Sequence, residues 1–175
     1  MDQVKDVLYV HMPERLEPLQ GELEGAGARP LASASDAGWF LRPAGPGQEG
    51  LSLRLCLAAG MQEARAQFET HYFNLLVLDT RGGDARVCGM AEELIEGLHR
   101  PNEPERSFPL SRVVVVLDHC LDLPQQAFDL GRLRVRTFVV DPFGEGGLRQ
   151  QMGALLSKRG KVGKIALCLA GGGVE

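Results

Sequence analysis

Three aspartates each follow directly after an apolar run of strand length, and their carboxylates are the first candidates for chemistry in this sequence. Asp79 follows residues 73–78, Asp118 follows residues 113–117 and Asp141 follows residues 135–140. In a parallel sheet the carboxyl ends of the strands meet at one edge, which is where open α/β folds bind ligands. Three carboxylates at that edge suit a cation or a small ligand. The simpler interpretation, which we favour, is that they cap nearby helices and loops and lie in water.

The elements that must position these aspartates are strands and helices in alternation. Runs that are apolar nearly throughout, as expected for parallel strands covered on both faces, occupy residues 7–10, 73–78, 113–117 and 135–140. Residues 51–57 alternate instead, which predicts a half-buried or edge strand. Helical spacing of apolar residues is found at 16–23, 61–68, 87–98 and 148–156, with one or two turns expected in 123–130. This order predicts an α/β fold, a five-stranded parallel sheet with helices on both faces.

An insert at about residues 25–50 interrupts this alternation. It contains the apolar run Trp39, Phe40 and Leu41, followed by a turn rich in proline and glycine at residues 43–47. Together with the alternating strand that begins at Leu51, this pattern predicts a hairpin that extends the edge of the sheet. We expect the two aromatic side chains to pack beneath the hairpin rather than to form an exposed patch for a partner.

Composition excludes several classes of protein. The chain has 175 residues, enough for one domain with a sizeable core, and a formal net charge of −4 argues against nucleic-acid binding through bulk positive charge. No apolar run approaches the roughly 20 residues that span a bilayer, and the first residues do not form a secretory leader. The four cysteines are far apart in apolar surroundings, which favours reduced thiols and a cytoplasmic location.

No metal or cofactor motif is evident. The four histidines, His11, His71, His99 and His119, lack the spacing of a zinc site. The glycine-rich turn at residues 144–147 lacks the Lys-Ser/Thr of a P-loop and the glycine pattern of a dinucleotide fold, so we interpret it as the entry to a helix. We therefore expect no resident cofactor.

The region from about residue 7 to residue 157 resembles a response-regulator receiver domain, a flavodoxin-like α/β module. Residues 74–79, Asn-Leu-Leu-Val-Leu-Asp, resemble the third receiver strand, whose terminal aspartate accepts a phosphoryl group. Residues 137–143, Thr-Phe-Val-Val-Asp-Pro-Phe, resemble the fifth strand and the motif that follows it, and Gly60 stands where the family often has a glycine before its second helix. The resemblance implies that Asp79 occupies the position of the phospho-acceptor.

Two departures from the family pattern concern the Mg²⁺ site. A receiver holds Mg²⁺ on acidic residues just after its first strand, because the metal neutralises the transferring phosphoryl group. His11 and Met12 stand near those positions here, and Glu14 is the nearest carboxylate. Phosphorylation by the usual mechanism is therefore not the favoured interpretation.

Two further departures concern charge. The family's lysine after the fifth strand is replaced by Asp141, and the Thr or Ser that closes its fourth strand is replaced by Asp118. We therefore expect an edge that has lost its positive counter-charge, where a phosphorylated Asp79 would be repelled. A pseudo-receiver, meaning a receiver-like interaction module without phosphoryl transfer, is the favoured interpretation.

A second resemblance lies at the end of the chain. Residues 167–175, Leu-Cys-Leu-Ala-Gly-Gly-Gly-Val-Glu, resemble the opening of a patatin-like acyl hydrolase, in which a strand leads into a triple-glycine loop. The resemblance implies that Gly171, Gly172 and Gly173 would supply oxyanion-hole N–H groups in a longer parent protein. The patatin-like family has a basic residue two positions after the glycines, where this sequence has Glu175. The sequence also contains no Gly-x-Ser-x-Gly nucleophile elbow. We therefore expect no hydrolysis by this chain itself.

These patterns predict a receiver-like domain over 1–158, a basic linker over 159–164 and the start of a patatin-like domain over 165–175. The favoured function is a non-catalytic regulatory module that contacts a protein partner, its own hydrolase domain or a second copy. The alternative is an active phospho-acceptor in a signalling relay, with Asp79 modified and with Glu14 and Asp118 holding Mg²⁺. A small-ligand binder at the sheet edge is a third possibility.

Overall fold

The computed structural model describes residues 3–31, 38–43, 50–82, 85–98, 108–117, 131–132, 135, 137–144 and 147–156. Within these residues the chain forms one sheet with helices on both faces. The α/β architecture expected from the alternating pattern is confirmed.

The sheet contains seven strands in the order β2-β3-β4-β1-β5-β6-β7. Their bounds are β1 Gln3–His11, β2 Arg29–Pro30, β3 Gly38–Leu41, β4 Leu51–Ala59, β5 Leu75–Asp79, β6 Val113–Val116 and β7 Thr137–Val139. Strands β4, β1, β5, β6 and β7 are mutually parallel. In chain order these five strands have the 2-1-3-4-5 arrangement of flavodoxin-like sheets. The carboxyl ends of β1 and β5 are therefore neighbours.

Among the residues that the structure describes, four helices cover the two faces of this sheet. They are α1 Leu16–Gly25, α2 Met61–Thr70, α3 Ala85–Leu98 and α4 Leu148–Leu156. Buried residues of α1 and α4 pack on one face, and buried residues of α2 and α3 pack on the other. The central strands are buried on both sides, and this explains why they are apolar nearly throughout. None of these helices is long and apolar enough to cross a membrane.

The predicted hairpin extends the sheet as expected. Strand β3 pairs antiparallel with β4, and the two-residue strand β2 pairs antiparallel with β3. The Trp39 side chain is buried in the same cluster as Leu19 and Leu55. Phe40, the next residue, is only half-buried, as alternation along a strand requires. Strand β3 of the insert is thus part of the main core.

Strand β5 is shorter than the apolar run that predicted it. Phe73 is buried, but pairing between β5 and β1 begins at Leu75. The Phe73 ring instead packs edge to face on Phe68, with ring centroids 5.7 Å apart. Phe68 makes a similar contact with Phe108 at 5.3 Å. The apolar run extends beyond the strand because packing of Phe73 on α2 also requires an apolar side chain.

Candidate functional site

The Asp79 carboxylate lies buried at the carboxyl end of β5, where four donor groups surround it. The Tyr9 hydroxyl, from neighbouring β1, donates to Oδ2 at 2.7 Å. The Arg81 backbone N–H donates to Oδ1 at 3.1 Å. The Arg81 guanidinium approaches through Nε, 3.0 Å from Oδ1, and Nη2, 2.8 Å from Oδ2. A carboxylate has about four lone-pair positions, so these contacts leave it no acceptor capacity.

The same guanidinium binds a second carboxylate on α1. Arg81 Nη1 lies 2.9 Å from Glu22 Oε2, and Nη2 lies 2.9 Å from Glu22 Oε1, which is a two-point contact. Arg15, at the start of α1, lies 3.7 Å from the same Glu22 carboxylate. We call Tyr9, Asp79, Arg81 and Glu22 the strand-end cluster.

The turn after β5 directs Arg81 back over Asp79. The Thr80 backbone N–H and hydroxyl both donate to the Val116 carbonyl, at 3.0 Å and 2.8 Å, which ties the turn to β6. Gly82 follows with φ at +81°, a conformation that glycine adopts without strain. A Cβ on Gly82 would meet the Arg15 side chain at 3.0 Å, so glycine also lets Arg15 lie across the turn.

Burial and charge shift the pKa values of this cluster. Burial, followed by the neighbouring Asp79 carboxylate, raises the pKa of Tyr9 well above its usual range. Burial by itself would lower the pKa of Arg81, but hydrogen bonds to Asp79 and Glu22 outweigh it and raise the pKa. Tyr9 is therefore held as a neutral donor, and Arg81 as a permanent cation.

The raised pKa of Tyr9 predicts a loss of stability at alkaline pH. A group with a raised pKa in the folded state contributes fully below its unfolded pKa, about 10 for tyrosine, and loses that contribution as the pH rises toward the folded value. We expect the free energy of unfolding to fall above pH ~10, with Tyr9 adding up to ~1.4 kcal/mol per pH unit to the slope. Urea titrations at several alkaline pH values measure that slope.

The matched control for this prediction is the other tyrosine. Tyr9→Phe removes the buried phenol and should flatten the alkaline slope. Tyr72 is 78% exposed and lies outside the strand-end cluster, so Tyr72→Phe should keep the wild-type slope. Equal slopes in Tyr9→Phe and the wild type would contradict a buried, neutral Tyr9.

The prediction that this edge of the sheet has lost its positive counter-charge is wrong. Asp79 does not lie in water, because it is buried against Arg81, which supplies the positive charge predicted to be missing. Asp141 follows β7 at the same edge of the sheet and is exposed, as the simpler interpretation expected. Its side chain lies beside Gly144. Asp118 and the triple glycine of Gly171, Gly172 and Gly173 lie outside the described residues.

Sequence reasoning missed three members of the cluster, although two of them had a signal. Arg81 lies two residues beyond Asp79 with glycine next, a spacing that lets a tight turn bring the cation back to the strand end. Tyr9 is the one hydroxyl-bearing side chain in the first apolar run, and a buried tyrosine hydroxyl needs a partner. Glu22 had no local signal, because its contact with Arg81 spans 59 residues.

The residues that the structure describes at the end of β1 are not grouped as the ligands of a cation. His11 is buried there, and its Nδ1 lies 2.8 Å from the carbonyl of the next residue, Met12. Among the residues that the structure describes, no three His, Cys, Asp or Glu side chains are grouped as a metal would require. The arrangement around Asp79 suits a fixed ion pair better than a nucleophile or a metal ligand.

Comparisons with known proteins agree with this architecture. No family model and no curated protein matches the chain. Among solved structures it is similar to the signal receiver domain of a signal transduction histidine kinase from Syntrophus aciditrophicus. That match has 15% identity, covers 93% of this chain and 98% of that one, and has a TM-score of 0.50. A two-component response regulator from Clostridium difficile is similar over 87% of this chain and 95% of its own, with 13% identity and a TM-score of 0.47.

A protein of another kind is about equally similar. The cytosolic domain of the T. maritima FeoB iron transporter matches 84% of this chain and 60% of its own length, with 13% identity and a TM-score of 0.50. At identities this low the structural similarity shows the fold alone, and a fold by itself does not specify an activity. The chain has a receiver-like, flavodoxin-like α/β fold.

Proposed function

We propose that this chain is a pseudo-receiver, a non-catalytic regulatory module that acts by contacting another protein. The observation that carries the proposal is the occupied Asp79 carboxylate, which accepts from Tyr9 and pairs with Arg81. In a phospho-accepting domain the corresponding oxygen must attack phosphorus, so it needs a free lone pair and a path to solvent. Asp79 has neither in this arrangement.

Electrostatics supports the same proposal. Phosphoryl transfer depends on a metal ion that neutralises the transferring oxygens, and the described residues contain no group of three or more His, Cys, Asp or Glu side chains placed to hold one. Arg81 is not free to replace the metal, because its guanidinium is already shared between Asp79 and Glu22. A phosphoryl group on Asp79 would place new negative charge next to Glu22.

We further propose that the module precedes a patatin-like lipid acyl hydrolase in a longer parent protein. The support is the sequence of residues 165–175, where Gly171, Gly172 and Gly173 match the oxyanion loop of that family. The partner would then be the hydrolase domain itself, with a second copy of the module as the other candidate. A parent sequence that continued past Glu175 without a Gly-x-Ser-x-Gly segment would contradict this half of the proposal.

Incubation with acetyl phosphate and Mg²⁺ tests whether Asp79 accepts a phosphoryl group. We expect no gain of a phosphoryl group by the wild-type chain, measured by intact-protein mass spectrometry, because the Asp79 oxygens are occupied. An active receiver domain in the same reaction verifies the reagent. A gain in the wild type that is absent from Asp79→Asn would overturn the proposal.

That outcome would favour the alternative, an active phospho-acceptor in a signalling relay. One observation favours this alternative, because Asp79 ends the third of the five parallel strands in a receiver-like fold. This alternative requires Mg²⁺ on groups such as Glu14 and Asp118, and it requires the ion pair to open. Dependence of the mass gain on Mg²⁺ would identify it.

A further inference from the structure

Glu22 is the outer end of a chain of charges that leads into the fold. The exposed fraction of the side chain is 33% for Glu22, 10% for Arg81 and 4% for Asp79. Of these three charged side chains, Glu22 is therefore the one that a molecule outside the domain contacts first. Helix α1, which carries it, is held on the sheet by buried Leu19 and Leu23 on either side.

The two carboxylates share one nitrogen of Arg81. Nη2 lies 2.8 Å from Asp79 Oδ2 and 2.9 Å from Glu22 Oε1, and within the described part of the chain Nη1 contacts Glu22 and not Asp79. If α1 moved away, Nη1 would lose this contact inside a largely buried side chain. An unpaired donor in that position is costly, so the guanidinium would turn toward water.

We propose that the Glu22–Arg81 bridge is a latch through which displacement of α1 uncovers the Asp79 carboxylate. The latch goes beyond the pseudo-receiver function, because it states how a contact made on α1 is transmitted to the edge of the sheet. It holds whether or not the domain binds a hydrolase. With α1 seated, Arg81 covers Asp79, and with α1 displaced, Asp79 becomes reachable from solvent.

Carboxyl labelling with a water-soluble carbodiimide and an amine tests the latch. Peptide mass spectrometry measures the labelled fraction of Asp79 in folded protein. We expect Asp79 to stay nearly unlabelled in the wild type and to gain label several-fold in Glu22→Gln, which keeps the shape of the side chain and removes its charge. Glu24→Gln, at an exposed position of the same helix, should leave the labelling of Asp79 unchanged.

A graded variant keeps the test decisive if Glu22→Gln proves unstable. Glu22→Asp retains the charge but shortens its reach, so we expect labelling of Asp79 between that of the wild type and that of Glu22→Gln. Fluorescence of Trp39, the single tryptophan, verifies that each variant is folded. Wild-type labelling of Asp79 in folded Glu22→Gln or Glu22→Asp would overturn the latch, because Asp79 alone would then hold Arg81.

Discussion

Arg81→Ala is expected to lower the free energy of unfolding by ~3–5 kcal/mol, the range found when one partner of a buried ion pair is removed. The substitution removes the counter-charge of the Asp79 carboxylate at the end of an apolar strand, with the Tyr9 hydroxyl and one backbone N–H as its remaining donors. Burial of an unpaired carboxylate costs far more than the loss of one hydrogen bond. Urea unfolding followed by circular dichroism measures the change.

An exposed ion pair of the same chain provides the control. Arg54 Nε lies 2.6 Å from Asp6 Oδ1 across β4 and β1, and the Arg54 side chain is 46% exposed. Exposed pairs contribute ~0–1 kcal/mol, so Arg54→Ala should have a much smaller effect than Arg81→Ala. Similar losses in the two variants would show that Arg81 is not a buried counter-ion.

Neutralising Asp79 as well gives a second check. Asp79→Asn combined with Arg81→Met removes both buried charges, and the loss should then be smaller than for Arg81→Met alone. The loss in the free energy of unfolding is expected to be smaller because most of it arises from the Asp79 carboxylate that a single Arg81 substitution leaves unpaired. Additive effects of the two substitutions would argue against direct pairing.

Trp39→Ala is expected to lower the free energy of unfolding by ~3–5 kcal/mol, as for other large aromatic residues truncated in a core. Trp39 lies on β3, opposite Leu55 of β4, and its side chain is buried with α1 residues on one face of the sheet. The substitution would leave a cavity between the hairpin and α1. Circular dichroism in urea measures the loss without relying on tryptophan fluorescence.

The neighbouring aromatic residue is the matched control for this prediction. Phe40 occupies the same strand but is half-buried and points to the opposite face. Phe40→Ala should therefore cost clearly less than Trp39→Ala. A small effect of Trp39→Ala would mean that the hairpin is an appendage that the main core does not need.

The strand-end cluster changes the reason for expecting a silent Asp79. Sequence reasoning expected repulsion, with carboxylates crowded at an edge that lacked a cation. In the structure the cation is present, and it occupies the acceptor oxygens instead. Both arguments predict an unreactive carboxylate, but they differ for Arg81→Ala. In the observed arrangement, Arg81→Ala frees lone pairs on the Asp79 oxygens. Repulsion between crowded carboxylates, in contrast, would not be relieved by the loss of Arg81.

The alternating apolar runs by themselves determined the class of fold and the approximate elements. A buried parallel strand must be apolar on both faces, and an amphipathic helix must repeat its apolar residues every three to four positions, so both are visible in local sequence. The hairpin insert was also predictable, because its turn residues and the alternation after Leu51 are local signals. The ends of the strands were less certain, as Phe73 illustrates.

Only the tertiary structure decided what surrounds Asp79. Tyr9 is 70 residues from Asp79 along the chain and Glu22 is 59 residues from Arg81, so the local sequence does not identify the partner in either contact. Strand order places β1 beside β5, and packing of Leu19 and Leu23 sets the helical position that carries Glu22. The sequence alone placed an aspartate at the end of a strand. Its pairing was decided by the sheet, because burial makes a close counter-charge necessary and only the fold brings one within reach.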